Sequence, residues 1–203
     1  MPDAFGEGPL VHLKEHPELI LEDLALVRAH LPAGASILDI GAGRGSFVSE
    51  ARRGGLRALG LDMQVEATQL WGRTGVSGVV GDGTKTPFRG ASFDVVRMKE
   101  VIEHIQDPLS LVREARRILK PGGLLLAHVP TTYSQFYPVG NFWDDYTHVR
   151  PFSRVGLQRL FADAGLDVLS IEGYTSGRNA AERALGKVLG RVFPHIYRIL
   201  ARR

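Results

Sequence analysis

Short apolar runs alternate with amphipathic stretches along most of the chain. The runs at Ser36–Ile40, Arg57–Leu61, Gly78–Gly81, Phe93–Met98, Leu124–Pro130 and Asp167–Gly173 predict strands. The first four are mostly aliphatic and β-branched rather than alternating, as expected of strands covered on both faces. Apolar residues recur at helical spacing over Ser46–Arg53, Val65–Thr74, Leu109–Leu119 and Arg154–Ala164, with one further helix predicted upstream at Pro17–His30. Lys120-Pro121-Gly122-Gly123 supplies a basic last turn and then helix breakers, a stop signal for the helix at 109–119. Ser153 stands where the helix at 154–164 needs an N-cap. Strand–helix repetition on this scale predicts the α/β class: an open, mostly parallel sheet with helices on both faces and right-handed crossovers. Neither repeats nor a long linker interrupts it, so residues 1–203 read as one domain. Its parts are an N-terminal helical segment (1–35), a strand–helix half (36–130), a connecting segment (131–153) and a C-terminal part (154–203).

The most informative stretch is Ile37-Leu38-Asp39-Ile40-Gly41-Ala42-Gly43-Arg44-Gly45. An apolar strand runs into three alternating glycines, and a helix follows at once. Without a Cβ, glycines let a backbone turn sharply and approach a ligand closely. The new helix then points unpaired N–H groups over the turn. This is a nucleotide-like cofactor site at the end of a first strand. A dinucleotide fingerprint would need its third glycine or alanine three residues after the second, where Ser46 stands. Gly45 comes two residues after Gly43, so a nicotinamide cofactor is set aside.

Composition narrows the chemistry further. There is no cysteine among the 203 residues, which excludes disulfides, thiolate nucleophiles and Cys-ligated metals. No signal-peptide pattern or membrane-length apolar run is seen, and a cytoplasmic enzyme is expected. The net charge of +3 is unevenly spread: seven Lys/Arg against Glu182 alone from Arg178 onward leave 18 basic and 21 acidic residues upstream. The body is therefore slightly acidic, which argues against nucleic acid as a partner.

In open α/β sheets, ligands sit at the carboxyl ends of the strands. Those ends carry Asp39, then Leu61-Asp62, then Gly81-Asp82-Gly83, then Met98-Lys99-Glu100 followed by Val101-Ile102-Glu103-His104. Four blocks, ILDIGAGRGSF at 37–47, LGLD at 59–62, GDGTKTPFRGASFDVV at 81–96 and EVIEHIQDPLSLVREARRILKPGG at 100–123, together resemble the class I S-adenosylmethionine-dependent methyltransferases. The chain is most similar to the group that includes the ubiquinone-biosynthesis O-methyltransferases. The resemblance covers 37–130 almost without a gap. It implies a Rossmann-like sheet of about seven strands, with S-adenosylmethionine as cofactor and S-adenosylhomocysteine as product. It also implies that Asp39, Gly41, Gly43 and Gly45 surround the methionine portion, Asp62 takes the ribose, Met63 packs on the adenine, Asp82 with Gly83 meets the adenine amine, and Met98–Lys99 lies beside the sulfonium. At each position a plainer role stands beside the functional one: strand–helix packing for the glycines, a strand-end cap for Asp62, a turn former in Asp82 and core for Met63.

Methyl transfer from a sulfonium needs the acceptor held on the sulfur–methyl axis, and a hydroxyl acceptor also needs a base. Residues 131–153 hold seven of the chain's sixteen aromatics, a density that argues for an acceptor lid. Tyr133, Phe136, Trp143 and Tyr146 are its candidate substrate contacts, and Arg150 could bind an acidic acceptor, although pairing with Asp144 or Asp145 is the preferred reading. His148 is the first candidate for base and His104 the second; either could instead only fix the loop. Asp144, Asp145 and His148 would be the residues to hold a divalent metal, but no metal is expected. O-methylation of a small molecule is the expected activity. A cofactor-binding module without turnover, or methylation of RNA or protein, is the alternative. Residues 179–192 place Leu185, Val188, Leu189 and Val192 on one helical face and Arg183, Lys187 and Arg191 on another. Such a basic amphipathic helix could touch an anionic membrane, though packing on its own domain is favoured. His195–Ala201 is expected to be the seventh strand.

Overall fold

The computed structural model describes residues 17–137, 141–175 and 192–203. In chain order they form α1 (Pro17–His30), β1 (Ser36–Ile40), α2 (Ser46–Arg53), β2 (Arg57–Asp62), α3 (Val65–Thr74), β3 (Gly78–Val80), β4 (Phe93–Lys99), α4 (Pro108–Ile118), β5 (Leu119–Pro130), α5 (Arg154–Asp163), β6 (Asp167–Tyr174) and β7 (Ile196–Arg202). The seven strands make one open sheet in the order β3-β2-β1-β4-β5-β7-β6. All pairings are parallel except those of β7, which runs antiparallel to both neighbours. The run at 195–201 is therefore a strand, as expected. Strand order reverses between β1 and β4, and the crevice at that switch point is where a doubly wound sheet receives its ligand.

Period-two alternation divides each buried strand between two apolar layers. Ile37, Val95, Leu124, Leu126 and Leu200 pack under α1, α2 and α3 with Leu24, Val27, Phe47, Val48 and Trp71. Leu38, Ile40, Val96, Met98, Leu125, Ala127 and Ile199 pack under α4 and α5 with Leu111, Val112, Leu157 and Phe161. Helix α4 starts where Asp107 accepts the Ser110 N–H at 3.3 Å and Pro108 sets the first turn. It ends at Ile118, and β5 begins at once rather than at Leu124. Leu119 pairs with Phe93, and the Gly122 and Arg203 amides bond to Arg203 and Gly123 at 3.0 and 2.9 Å, which folds the Lys-Pro-Gly-Gly stretch into the sheet.

At the amino end of the sheet, Asp94 ties three elements together. Its carboxylate accepts the Ser36 N–H at 2.8 Å, the Ser36 hydroxyl at 2.6 Å and the Lys120 ammonium at 2.9 Å. Burial opposes ionisation, but the hydrogen bonds from Lys120 and Ser36 outweigh it and hold the pKa at about 2. A carboxyl depressed in the folded state stabilises above its unfolded pKa of 3.8 and loses that contribution as pH falls through 2. Asp94→Asn is expected to be about 1–2 kcal/mol less stable than the parent at pH 7 in urea melts. The gap should shrink below about pH 4 and close as pH falls through about 2; a gap unchanged with pH would refute the ionic origin.

Candidate active site

The glycine turn after β1 is clamped to the end of β2. Gly41 and Ala42 donate to the Leu61 carbonyl at 2.8 and 3.2 Å, and Gly43 donates to Asp62 Oδ2 at 2.8 Å. Trp71 Nε1 closes the other side on the Gly43 carbonyl at 2.9 Å. Gly41 adopts φ +72°, and a Cβ there would lie 2.4 Å from the Val101 side chain. Gly45 adopts φ +77°, and a Cβ would lie 2.8 Å from Val76. In α2 the Ser49 amide bonds to the Gly45 carbonyl at 2.9 Å. Ahead of it the Gly45 amide donates to the Ala42 carbonyl at 2.8 Å, and the first amides of α2 have no helical carbonyl one turn back to bond.

Asp62 is buried at the end of β2. Besides Gly43 it accepts the Gln64 N–H on Oδ1 at 2.9 Å, so two of a carboxylate's four or so acceptor positions stay available for a diol. Met63 beside it is 69% exposed, a large apolar side chain outside the core at the carboxyl end of β2. Asp82 forms a turn, accepting both the amide and the hydroxyl of Thr84 at 2.8 Å. Gly83 lets Ile40 and Leu111 approach, and a Cβ would lie 2.7 Å from Ile40. The Met98 side chain is in the core, so only its backbone can face a ligand. Lys99 pairs with Glu100 at 2.7 Å, and Glu100 holds φ +54°, a left-handed conformation uncommon outside glycine.

The lid closes over the turn that follows β4. Phe152 pairs with Thr131, and the Val149 amide donates to the Glu103 carbonyl at 2.8 Å. These contacts bring His104 and His148 together, ring centroids 4.6 Å apart. His148 Nδ1 lies 2.6 Å from the Phe142 carbonyl, which can only accept, so Nδ1 carries a proton and the neutral ring would have its lone pair on Nε2. The Thr147 hydroxyl donates to Asp145 at 2.6 Å and so accepts from His104 Nδ1 at 2.9 Å, which fixes the same tautomer there. Burial lowers the His104 pKa, and the neighbouring His148 lowers it further. Phe142 stacks under His148 at 4.4 Å and is buried, whereas Phe136 and Tyr146 are 78% and 96% exposed. Trp143 is also exposed, and Tyr133 packs edge-on against Phe193 at 5.5 Å. The lid's aromatics thus divide into a buried support and an open rim. Arg150 departs from its preferred reading: it donates to the Gln106 carbonyl at 2.9 Å, while Asp144 caps Asn141 and Asp145 is taken by Thr147.

Sequence reasoning gave no role to Glu103, which lies fully buried beside the two histidines with neither carboxylate oxygen hydrogen-bonded. Burial, and secondly the charge of Glu100, push its pKa well up, which favours the neutral acid. One donor atom each from Glu103, His104 and His148 lie within 4.8 Å of one another, so this trio, rather than Asp144, Asp145 and His148, is the set that could hold a cation. Most of the basic segment 179–192 lies outside the described residues. Among the described residues no helix is long and apolar enough to cross a membrane.

A profile of the methyltransferase domain family matches residues 12–171. The chain belongs to that family. Two curated relatives carry the comparison further. A Mycolicibacterium smegmatis protein named a probable S-adenosylmethionine-dependent methyltransferase is 32% identical over 160 residues, covering 76% of this chain and 60% of that one. The ubiquinone biosynthesis O-methyltransferase of Sodalis glossinidius is 33% identical over 128 residues, 60% of this chain and 50% of its own. The chain thus spans between half and three fifths of these relatives' length. Among solved structures, an S-adenosylmethionine-dependent methyltransferase from Archaeoglobus fulgidus superposes with a TM-score of 0.72 at 20% identity, covering 92% of this chain and 94% of its own, a likeness of fold. The Mycolicibacterium relative and the Archaeoglobus structure are each described as S-adenosylmethionine-dependent methyltransferases.

Proposed function

We propose that this methyltransferase moves the methyl group of S-adenosylmethionine onto a hydroxyl of a small, flat or apolar molecule, with His148 as base and His104 beside it. The observation that carries the reading is the histidine pair itself. Both rings place Nδ1 against a protein acceptor, which leaves Nε2 as the lone-pair nitrogen of each neutral ring, and Phe136, Trp143 and Tyr146 of the same segment are exposed. That is the protonation state a base requires. The acceptor O–H gives its proton to Nε2 as oxygen attacks the methyl carbon in line, and the carbon–sulfur bonding pair returns to sulfur. The cofactor binds over the glycine turn, with Asp62 on the ribose and Asp39 on the methionine side. The names of the ubiquinone O-methyltransferase relatives support oxygen as the atom methylated.

Cofactor carrying a carbon-13 methyl, incubated with an extract of the source cells, tests the reading. An O-methyl resonance in the product supports it, whereas an N-methyl or C-methyl product alone would overturn it. Label in the organic extract favours a quinone-like or other lipid acceptor; label left in the aqueous phase favours saccharides or polar metabolites. His148→Ala should lower the rate of label incorporation about a hundredfold while cofactor affinity holds. Unchanged turnover would return His148 to a loop-fixing role. A chelator should not slow the parent enzyme; a loss restored by a divalent cation would make Glu103, His104 and His148 a metal centre instead.

A further inference from the structure

Among the buried residues of α1, Ile20, Leu24 and Val27 are apolar and Asp23 is a carboxylate. Arg97 Nε of β4 donates to Asp23 Oδ2 at 2.8 Å, with the guanidinium 4.2 Å over the Phe47 ring. On the other side, His128 Nε2 of β5 stands 3.0 Å from both Asp23 oxygens. Its Nδ1 lies 2.8 Å from the hydroxyl of Tyr174, the last residue of β6. Asp23 and His128 are fully buried, whereas Tyr174 is half-buried. Burial opposes ionisation of Asp23, but the bonds and charges of His128 and Arg97 outweigh it and hold its pKa below the usual carboxylate value. Burial lowers the pKa of His128 in spite of Asp23, so the ring is neutral. An ionised carboxylate only accepts, so the one ring proton is on Nε2, and Nδ1 accepts the Tyr174 O–H. Burial, and after it the charge of Glu100, raise the Tyr174 pKa well up, so the phenol keeps that proton. A hydroxyl that elsewhere could donate or accept thus has only lone pairs left to offer. Among the described residues its oxygen has no second hydrogen-bond partner.

We propose that Tyr174 is an acceptor-binding residue: its oxygen receives a hydrogen bond from an N–H or O–H of the molecule to be methylated, and Asp23, acting through His128, is the positioning residue that holds the phenol in that polarity. The inference rests on the reading that a small hydroxyl-bearing molecule enters at the carboxyl edge. Tyr174 lies at that edge, since Ile196 pairs with it on one side and with Pro130, the end of β5, on the other. Its carbonyl accepts the His195 amide at 3.0 Å, and the His195 carbonyl accepts the Thr131 amide at 2.9 Å, where the lid begins. Glu100, whose charge reaches the phenol, follows β4 at the point where strand order reverses. Asp23 and His128 satisfy each other without the phenol, so what Tyr174 adds is an oriented lone pair. The acceptor it fits carries a second hydrogen-bond donor besides the hydroxyl that is methylated, as polyhydroxylated and amino-hydroxy compounds do. An ether or ketone oxygen in that place would meet lone pair against lone pair.

Tyr174→Phe removes the one oxygen. It should lower label incorporation from a dilute extract of the source cells about tenfold, with the deficit shrinking as the extract is concentrated and cofactor affinity holding. Equal incorporation at every dilution, or cofactor affinity lost in step with activity, would overturn the proposal. So would a methylated product that retains no O–H or N–H. Asp23→Asn tests the polarity. Its amide oxygen keeps Arg97 and its amide N–H faces His128 Nε2, so the ring proton should move to Nδ1 and release the Tyr174 O–H. Long-range nitrogen–proton spectra of protein carrying isotope-labelled histidine should show His128 protonated on Nε2 in the parent and on Nδ1 in the variant. Incorporation from dilute extract should then fall about threefold or more. A parent ring protonated on Nδ1, no flip in the variant, or a flip with unchanged incorporation overturns the role of Asp23. If the variant does not stay folded, the parent spectrum and Tyr174→Phe still decide. The carbon-13 product separates this inference from the reaction it rests on. An O-methyl product with Tyr174→Phe unaffected overturns the Tyr174 contact alone. An N-methyl product alone overturns the oxygen reading, and a rate drop in Tyr174→Phe would still support the contact.

Discussion

Asp62→Ala is expected to weaken S-adenosylmethionine binding about a hundredfold or more in a calorimetric titration, with the protein still folded. Two effects combine. The first is loss of the acceptors for a ribose diol, charge-assisted bonds worth about 1.5–3 kcal/mol each. The second is local: Gly43 and Gln64 lose the carboxylate that now receives their amides at 2.8 and 2.9 Å, so the glycine turn is freed from β2. Asp62→Asn separates the two. An asparagine retains one acceptor oxygen and can hold one of these amides, so it should bind more weakly than the parent and more tightly than the alanine variant. Affinity unchanged in Asp62→Ala would mean that the cofactor's ribose lies elsewhere.

Arg97→Met is expected to destabilise the fold by about 3–5 kcal/mol, read from denaturant unfolding. The methionine fills most of the volume and can still cover Phe47, so the loss is not mainly one of packing. It takes from the buried Asp23 and Asp39 the cation that joined them at 2.8 and 3.0 Å. Burial opposes ionisation of Asp23, and the bonds from His128 and Arg97 are what hold its pKa down. Without Arg97 the carboxylate must take up a proton or stay ionised at high cost. Adding Asp23→Leu to Arg97→Met should recover part of the stability, because one stranded anion is removed. A loss below about 1 kcal/mol in the single variant would show that the buried charges are not coupled as the distances indicate.

Much of this fold could be read in advance because its signals are local. Strand ends, helix stops and the glycine turn are each written in a few consecutive residues, whereas the strand at Ile196–Arg202 was expected only from the resemblance. The site was legible where a backbone demand exposes itself, as at Gly41 and Gly45, or where a carboxylate closes a strand, as at Asp62. What escaped was everything that depends on distant partners. Asp23 sits out of place in an apolar helical stripe, and Arg97 sits out of place in a buried strand. Each anomaly is visible alone, but the two residues are 74 apart, and His128 is 105 from Asp23. Nothing local says that three misfits resolve one another. Glu103 was passed over for a related reason: on paper it is one acid in a polar turn, and only the lid folding across it removes its water. The Arg150 expectation failed because Thr147 and Asn141 satisfy the neighbouring acids first, through short Asx-type and capping contacts that dispense with a cation.

β7 occupies an interior place in the sheet although it is the last described strand of the chain, and among the described strands β6 joins the sheet only through it. The strands from β3 to β5 can assemble through short right-handed crossovers as they emerge from synthesis. The β5–β7–β6 side cannot, because β5 keeps one edge unpaired until residues 196–202 arrive to zip it. There is thus an interval in a nascent molecule's life when the cofactor platform stands complete and a row of open backbone groups runs along β5. An exposed, apolar strand edge is the template on which chains misassociate. The seven pairs from Pro130 against Ile196 to Leu124 against Arg202 therefore close that edge of β5 and remove the template it offers.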